Sequence, residues 1–155
     1  MDAKEGKYLT FALHGEEYGL EILKVREIIG YMAITPVPRT VEHIKGVINL
    51  RGQVIPIIDL RLKFGMPEAD VTEQSCIIVV ESLKEGVIKQ IGIIVDSVSE
   101  VHDIAQKMME PPPEFSAAVD RSFILAMAKI ESQIVMLLNI DRVLCDEVLV
   151  AMMGQ

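Results

Sequence analysis

The stretch that most limits what this chain can become is GVINLRGQVIPIIDL at positions 46–60, two apolar runs rich in Val and Ile separated by Arg51-Gly52. β-branched side chains fit a pleated, half-buried surface, and a glycine in the turn tolerates positive φ, so the segment reads as a β-hairpin. A hairpin with two apolar arms needs further sheet around it. The fold is therefore expected to be mainly β. Arg51, at the tip of a segment whose other side chains mostly need burial, is either a solvated turn charge or the partner of an acid placed opposite it.

Composition says what such sheets must be packed with. Half of the 155 residues are hydrophobic, but only 5% are aromatic and Trp is absent, which leaves Ile, Val, Leu and nine Met to build the interior. The net charge of −8 repels phosphate backbones and anionic lipid surfaces, so no nucleic-acid partner is expected. Cys76 and Cys145 are too far apart for a metal knuckle or a redox pair and read as buried thiols. The charged N-terminus lacks the apolar core of a secretory signal, which points to the cytoplasm. Direct membrane insertion is not expected, because no apolar run approaches the roughly 18 residues needed to cross a bilayer.

In chain order, Tyr8 to Leu13 alternates, with Leu9, Phe11 and Leu13 on one face, and turns at His14–Glu17 into Tyr18–Leu20 as a second hairpin. From Glu21 the period changes. Ile22, Val25, Ile28 and Ile29 recur at helical spacing with Lys24, Arg26 and Glu27 between them, predicting a short amphipathic helix. Ile34–Pro38 is an extended edge connector, since proline removes a donor and disfavours αR in the residue before it. Val41–Lys45 can form a turn, Pro56 places its strand at an edge or a bulge, and Leu60–Phe64 can add a further turn. The Pro-containing acidic stretch 65–74 is the candidate junction between two subdomains of a single domain, 1–155. Cys76–Val80, Val87–Val95 and Val98–Ile104 are short strands at a spacing that suits a small barrel. Glu110–Glu114, with three prolines, is a rigid spacer; Phe123–Ile130 and Ile134–Leu138 then pair across a turn. Asp141–Met153 has an apolar stripe at Val143, Leu144, Val148 and Met152 and is expected as a C-terminal helix capped by Asp141.

No catalytic constellation stands out. His14, His43 and His102 lie in separate elements without metal-ligand spacing, and no nucleophile elbow or phosphate-cradling glycine loop occurs. No metal or cofactor is expected. What remains is apolar excess: Leu23 lies off the Ile22/Val25/Ile29 stripe, which marks either a binding surface or a helix buried on two sides between subdomains.

Three blocks then carry a resemblance: YGLEILKVREI at 18–28, GVINLRG at 46–52 and PIIDLR at 56–61. With GIIVDSV at 92–98, Pro113-Glu114-Phe115 and LNID at 138–141 following in order, the chain resembles the CheW-like family of bacterial chemotaxis coupling proteins along nearly its whole length. The resemblance implies two five-stranded SH3-like barrels packed together, with short helices and a C-terminal helix, and a stand-alone adaptor without catalysis. It implies that the protein joins the cytoplasmic tips of methyl-accepting chemotaxis receptors to the regulatory domain of the histidine kinase CheA, in arrays at the inner membrane. By the same resemblance Ile22, Val25, Ile28 and Val98 line a receptor groove, a helix-in-groove mode. Glu27 pairs with Arg51 beside it, and Gly46, Glu114 and Phe115 face the kinase. The runs Pro111–Pro113 and Met127–Lys129 depart from the family pattern. Two further readings stay open beside this one: a small-molecule or metal-dependent enzyme on a β-barrel, and the same adaptor chemistry in a pathway other than chemotaxis.

Overall fold

The computed structural model describes residues 4–37, 43–84, 87–112 and 121–144. Eleven strands form two sheets. The strands β1 (Gly6–Leu13), β2 (Glu16–Glu21), β8 (Ser97–Ile104), β9 (Met109–Glu110), β10 (Ile124–Ile130) and β11 (Gln133–Leu138) make a six-stranded sheet in the order β8-β1-β2-β11-β10-β9. The strands β3 (Val25–Gly30), β4 (Ile44–Leu50), β5 (Gln53–Asp59), β6 (Cys76–Lys84) and β7 (Val87–Val95) make a five-stranded sheet in the order β3-β6-β7-β5-β4. Each sheet has one parallel pair, β2 with β11 and β5 with β7. The sixth strand of the larger sheet is only two residues long and pairs Glu110 with Met127, so one end of the proline-rich spacer is strand.

Each sheet curls on itself, because side chains from its two edge strands meet in one cluster. Ile104 of β8 and Met109 of β9 join Ala126, Ala128 and Leu137 in one core. Ile29 of β3 packs with Ile48 of β4 in the other, around Ile55, Ile57 and Ile94. A third and larger cluster lies between the sheets and takes side chains from both, among them Phe11, Tyr18, Ile58, Ile78, Ile93 and Leu138. Strand β6 shows how the layers are fed: Ile77 and Val79 point into the small core, and Ile78 and Val80 into the shared one. A strand buried on both faces reads as a continuous apolar run, which is why the central strands were legible without clean alternation. The chain enters the six-stranded sheet, crosses to the other after β2, and returns after β7.

Several expectations need correction. Ile22–Gly30 is not a helix: Ile22–Lys24 forms one 3-10 turn, and Val25–Gly30 is strand β3 paired with β6. Over nine residues the two periods are hard to separate, and Val and Ile favour the strand once an edge of β6 is available. Pro56 lies in an interior strand, not at an edge. Its partner Val47 directs both backbone groups to Thr35 on the far side of β4, and the ladder to β7 begins only at Ile57. The donor that proline lacks therefore falls where no ladder bond is made. Of Val41–Lys45, Ile44 and Lys45 are already in β4, while 41 and 42 lie outside the described residues. Asn139, not Asp141, caps the final turn, accepting from the Arg142 N–H, and α2 spans Ile140–Val143. The rest of the expected C-terminal helix lies outside the described residues. The stretch 65–74 links α1 (Leu60–Lys63) to β6 within the run of chain that builds the five-stranded sheet.

Candidate functional site

The two places where the chain crosses between the sheets carry most of the singled-out residues. At the first crossing the 3-10 turn positions Ile22, and the start of β3 positions Val25 opposite Val80. At the second, Asp96 separates β7 from β8, and Val98 follows opposite Phe11 of β1. Ile22, Val25 and Val98 are all half-buried against the shared core, so the structure brings three of the expected groove residues to its margin. Ile28 is set apart from them. A bulge in β3 lies between it and Val25, and Ile28, opposite Ile78, is 43% exposed.

Leu23 is 88% exposed, which excludes burial on two sides. With Ile88, also exposed, it borders an open depression of about 330 Å³ whose other walls are Glu21, Lys24, Glu81 and Ser82. Ile88 was not singled out in the sequence, where it is one apolar residue of a long strand.

The expected ion pair between Arg51 and Glu27 is present, formed through one guanidinium nitrogen. It joins the hairpin tip to strand β3 rather than to a helix end. The Arg51 side chain is 69% exposed, so the pair is solvent-screened and weak in stability terms, at about 0–1 kcal/mol. Its geometry is fixed by the turn: Arg51 has φ 51° and Gly52 φ 86°, and Asn49 accepts from the Gly52 N–H. Two consecutive positive φ values give the hairpin turn whose twist matches its strands.

Gly46 has a steric role. It sits at φ 143° beside a bulge in β4, and a Cβ there would lie 2.0 Å from the Thr35 carbonyl oxygen and 2.9 Å from the Pro36 Cα. Glycine lets the Ile34–Val37 connector lie directly on the edge of β4, where Thr35 and Val47 exchange two backbone hydrogen bonds. Glu114 and Phe115 lie outside the described residues.

One cluster passed unremarked in the sequence although its residues sit in a quoted block. Arg61, in α1, is buried and pairs with buried Asp59 through Nε and Nη2, each at 3.1 Å, and with Asp96 through Nη1 at 3.1 Å. Burial opposes its charge, but the hydrogen bonds and charge of Asp59, with the charges of Asp96 and Glu68, more than offset this and raise its pKa. Asp96 also accepts from the His14 N–H at 2.7 Å. A charged pair two residues apart inside an apolar run was the available signal, since an acid and a base there must satisfy each other. Among the described residues no three His, Cys, Asp or Glu side chains group as metal ligands, and no helix is long and apolar enough to cross a membrane.

A family model described as the CheW-like domain matches residues 7–148. The chain is 36% identical over 141 residues to a chemotaxis protein CheW from Klebsiella aerogenes, covering 91% of this chain and 82% of that protein. It is 33% identical over 141 residues to a probable chemotaxis protein CheW from Rhizobium etli, covering 91% and 88%. The crystal structure of the scaffolding protein TtCheW from Thermoanaerobacter tengcongensis superposes with a TM-score of 0.82 at 35% identity, over 94% of this chain and 91% of that one.

Proposed function

The chain belongs to the CheW-like family, and from that premise we propose that it is a non-catalytic adaptor that couples chemoreceptors to the histidine kinase CheA in the cytoplasm. The observation that carries the reading is the margin of the shared core, where Ile22, Val25 and Val98 stay half-exposed at the two sheet crossings. A half-exposed apolar strip between two rigid sheets suits the apolar face of a helix. On this reading a receptor's helical tip seats against that strip, with Arg51 and Glu27 at its border. Gly46 acts on the kinase side through the connector it supports, and Glu114 and Phe115 contact the kinase regulatory domain. The domain works as one unit, anchored at receptor arrays through its partners rather than through lipid.

Co-sedimentation with a membrane receptor and CheA tests this, scored for kinase activation. The expected result is a ternary complex and a raised autophosphorylation rate, both lost in Val98→Asp. Failure to sediment with either partner overturns the reading. A complex without kinase activation in a chemotaxis system assigns the adaptor to another pathway.

A further inference from the structure

The hairpin and turn of one sheet repeat in the other, residue for residue: Gln53–Phe64 forms β5 and α1, and Gln133–Leu144 forms β11 and α2. Asp59 and Asn139 are the matching caps, each accepting from the backbone N–H of its own turn. The repeat extends to the crossings. Ile57 pairs with Gly92 as its counterpart Leu137 pairs with Gly19, and Val98 follows Gly92 at the same interval as Val25 follows Gly19. The two valines of the proposed groove are therefore structural equivalents.

In this frame Arg61 and Asp141 occupy the same position with opposite charge, and each reaches the crossing beside it. Arg61 holds Asp96 at the second crossing. Asp141 holds Lys24 of the first at 2.9 Å and accepts from the Ser82 hydroxyl at 3.4 Å. Each contact joins one sheet to the chain where it leaves for the other, and each lies within two residues of a groove valine. Their strengths differ. Arg61 is 4% exposed and tied also to Asp59, whereas Lys24 and Asp141 are 31% and 38% exposed and open to screening by salt.

We propose that these two charge-reversed clasps set the separation of the Val25 and Val98 walls, so that Lys24, Asp141, Arg61 and Asp96 are positioning residues for whatever docks between them. The inference rests on the docking reading for its functional half only. Arg61–Asp96 is the fixed side, and Lys24–Asp141 is the side that yields.

The test places spin labels at Val54→Cys and Ile134→Cys, exposed equivalents on the two sheets, in a Cys76→Ser, Cys145→Ser background. Lys24→Glu sets two acids together and is expected to shift or broaden the inter-label distance distribution and to weaken binding of a soluble receptor signalling-tip fragment about fivefold. Lys24→Glu with Asp141→Arg is expected to recover both in part. Asp96→Asn removes the charge and keeps one of the two acceptor oxygens, which now serve Arg61 and the His14 N–H, and tests the buried side, with a thermal melt confirming that the variant folds. Unchanged distances in Lys24→Glu and Asp96→Asn overturn the proposal, as do shifted distances with unchanged binding. If the parent protein does not bind the fragment, the docking reading fails, while the distances still decide whether the clasps set the spacing.

Discussion

Arg51 shows how one residue carries a role its sequence setting leaves open. As a turn charge it could have pointed into water, and 69% of its side chain does. The remainder meets Glu27 on β3, the strand at the other edge of the same sheet. Because the pair is exposed, its value is orientation rather than stability. Arg51→Glu is expected to change the unfolding free energy by less than about 1 kcal/mol while impairing kinase activation, and Glu27→Arg in the same chain is expected to restore part of that activation. Urea melts and an autophosphorylation assay on the two single variants and the double separate these effects. Gly46 is the opposite case, a residue whose value is the absence of a side chain where Thr35 presses on the strand.

At the scale of the element, β3 decides which of the expected groove residues face a partner. The helix predicted for Ile22–Ile29 would have put Val25, Ile28 and Ile29 on one stripe, whereas in the strand Val25 packs against the shared core, Ile29 against the core of the five-stranded sheet, and Ile28, beyond a bulge, is 43% exposed. The pattern of apolar residues was real; its period was misread, because a nine-residue segment with four β-branched positions satisfies both templates until pairing with β6 settles it. The two substitutions now separate. Val25→Asp is expected to cost about 1–3 kcal/mol by placing a carboxylate against the shared core, and Ile28→Asp to stay within about 0.5 kcal/mol of the parent. Thermal melts of both proteins check this. Equal destabilisation would mean that Ile28 is as buried as Val25.

The molecule as a whole is held by the cluster between the sheets, and Tyr18 is near its centre. Its ring stacks on Phe11 at 5.9 Å and lies 5.9 Å from Phe64, whose ring is 6.0 Å from Phe123, so four rings run from the six-stranded sheet to the turn after β5 and back to the turn before β10. Burial, the nearby Glu16 carboxylate and the hydrogen bond to it push the Tyr18 hydroxyl well above its ordinary value of 10.0. Burial and the charge of Glu21 raise that of Tyr8 as well, against a backbone hydrogen bond to Lys4 that lowers it. A group whose proton is held more tightly in the folded state stabilises fully below its unfolded pKa and loses that contribution as pH rises beyond it. Stability is therefore expected to be flat with respect to these groups below pH 10 and to fall above it. Tyr18→Phe is expected to be about 1 kcal/mol less stable at neutral pH, through loss of the Glu16 hydrogen bond, and to decline less steeply in alkali. Melting temperatures across pH 8–11 check both; an unchanged alkaline slope would show that Tyr18 is not responsible.

By itself the sequence determined the hairpins at Gly6–Glu21, Ile44–Asp59 and Ile124–Leu138, the strands β6 to β8, and the turn after Asp59, because turn chemistry and β-branched runs act over a few neighbouring residues. The family blocks at 18–28, 46–52 and 56–61 likewise named the adaptor class from local strings. Tertiary structure alone decided that Ile22–Gly30 is strand, that Pro56 is interior, and that Arg61 finds Asp96. Each of these depends on which segment becomes the neighbour across a sheet or between sheets, and that choice is made by burying the shared core, not by any window of sequence.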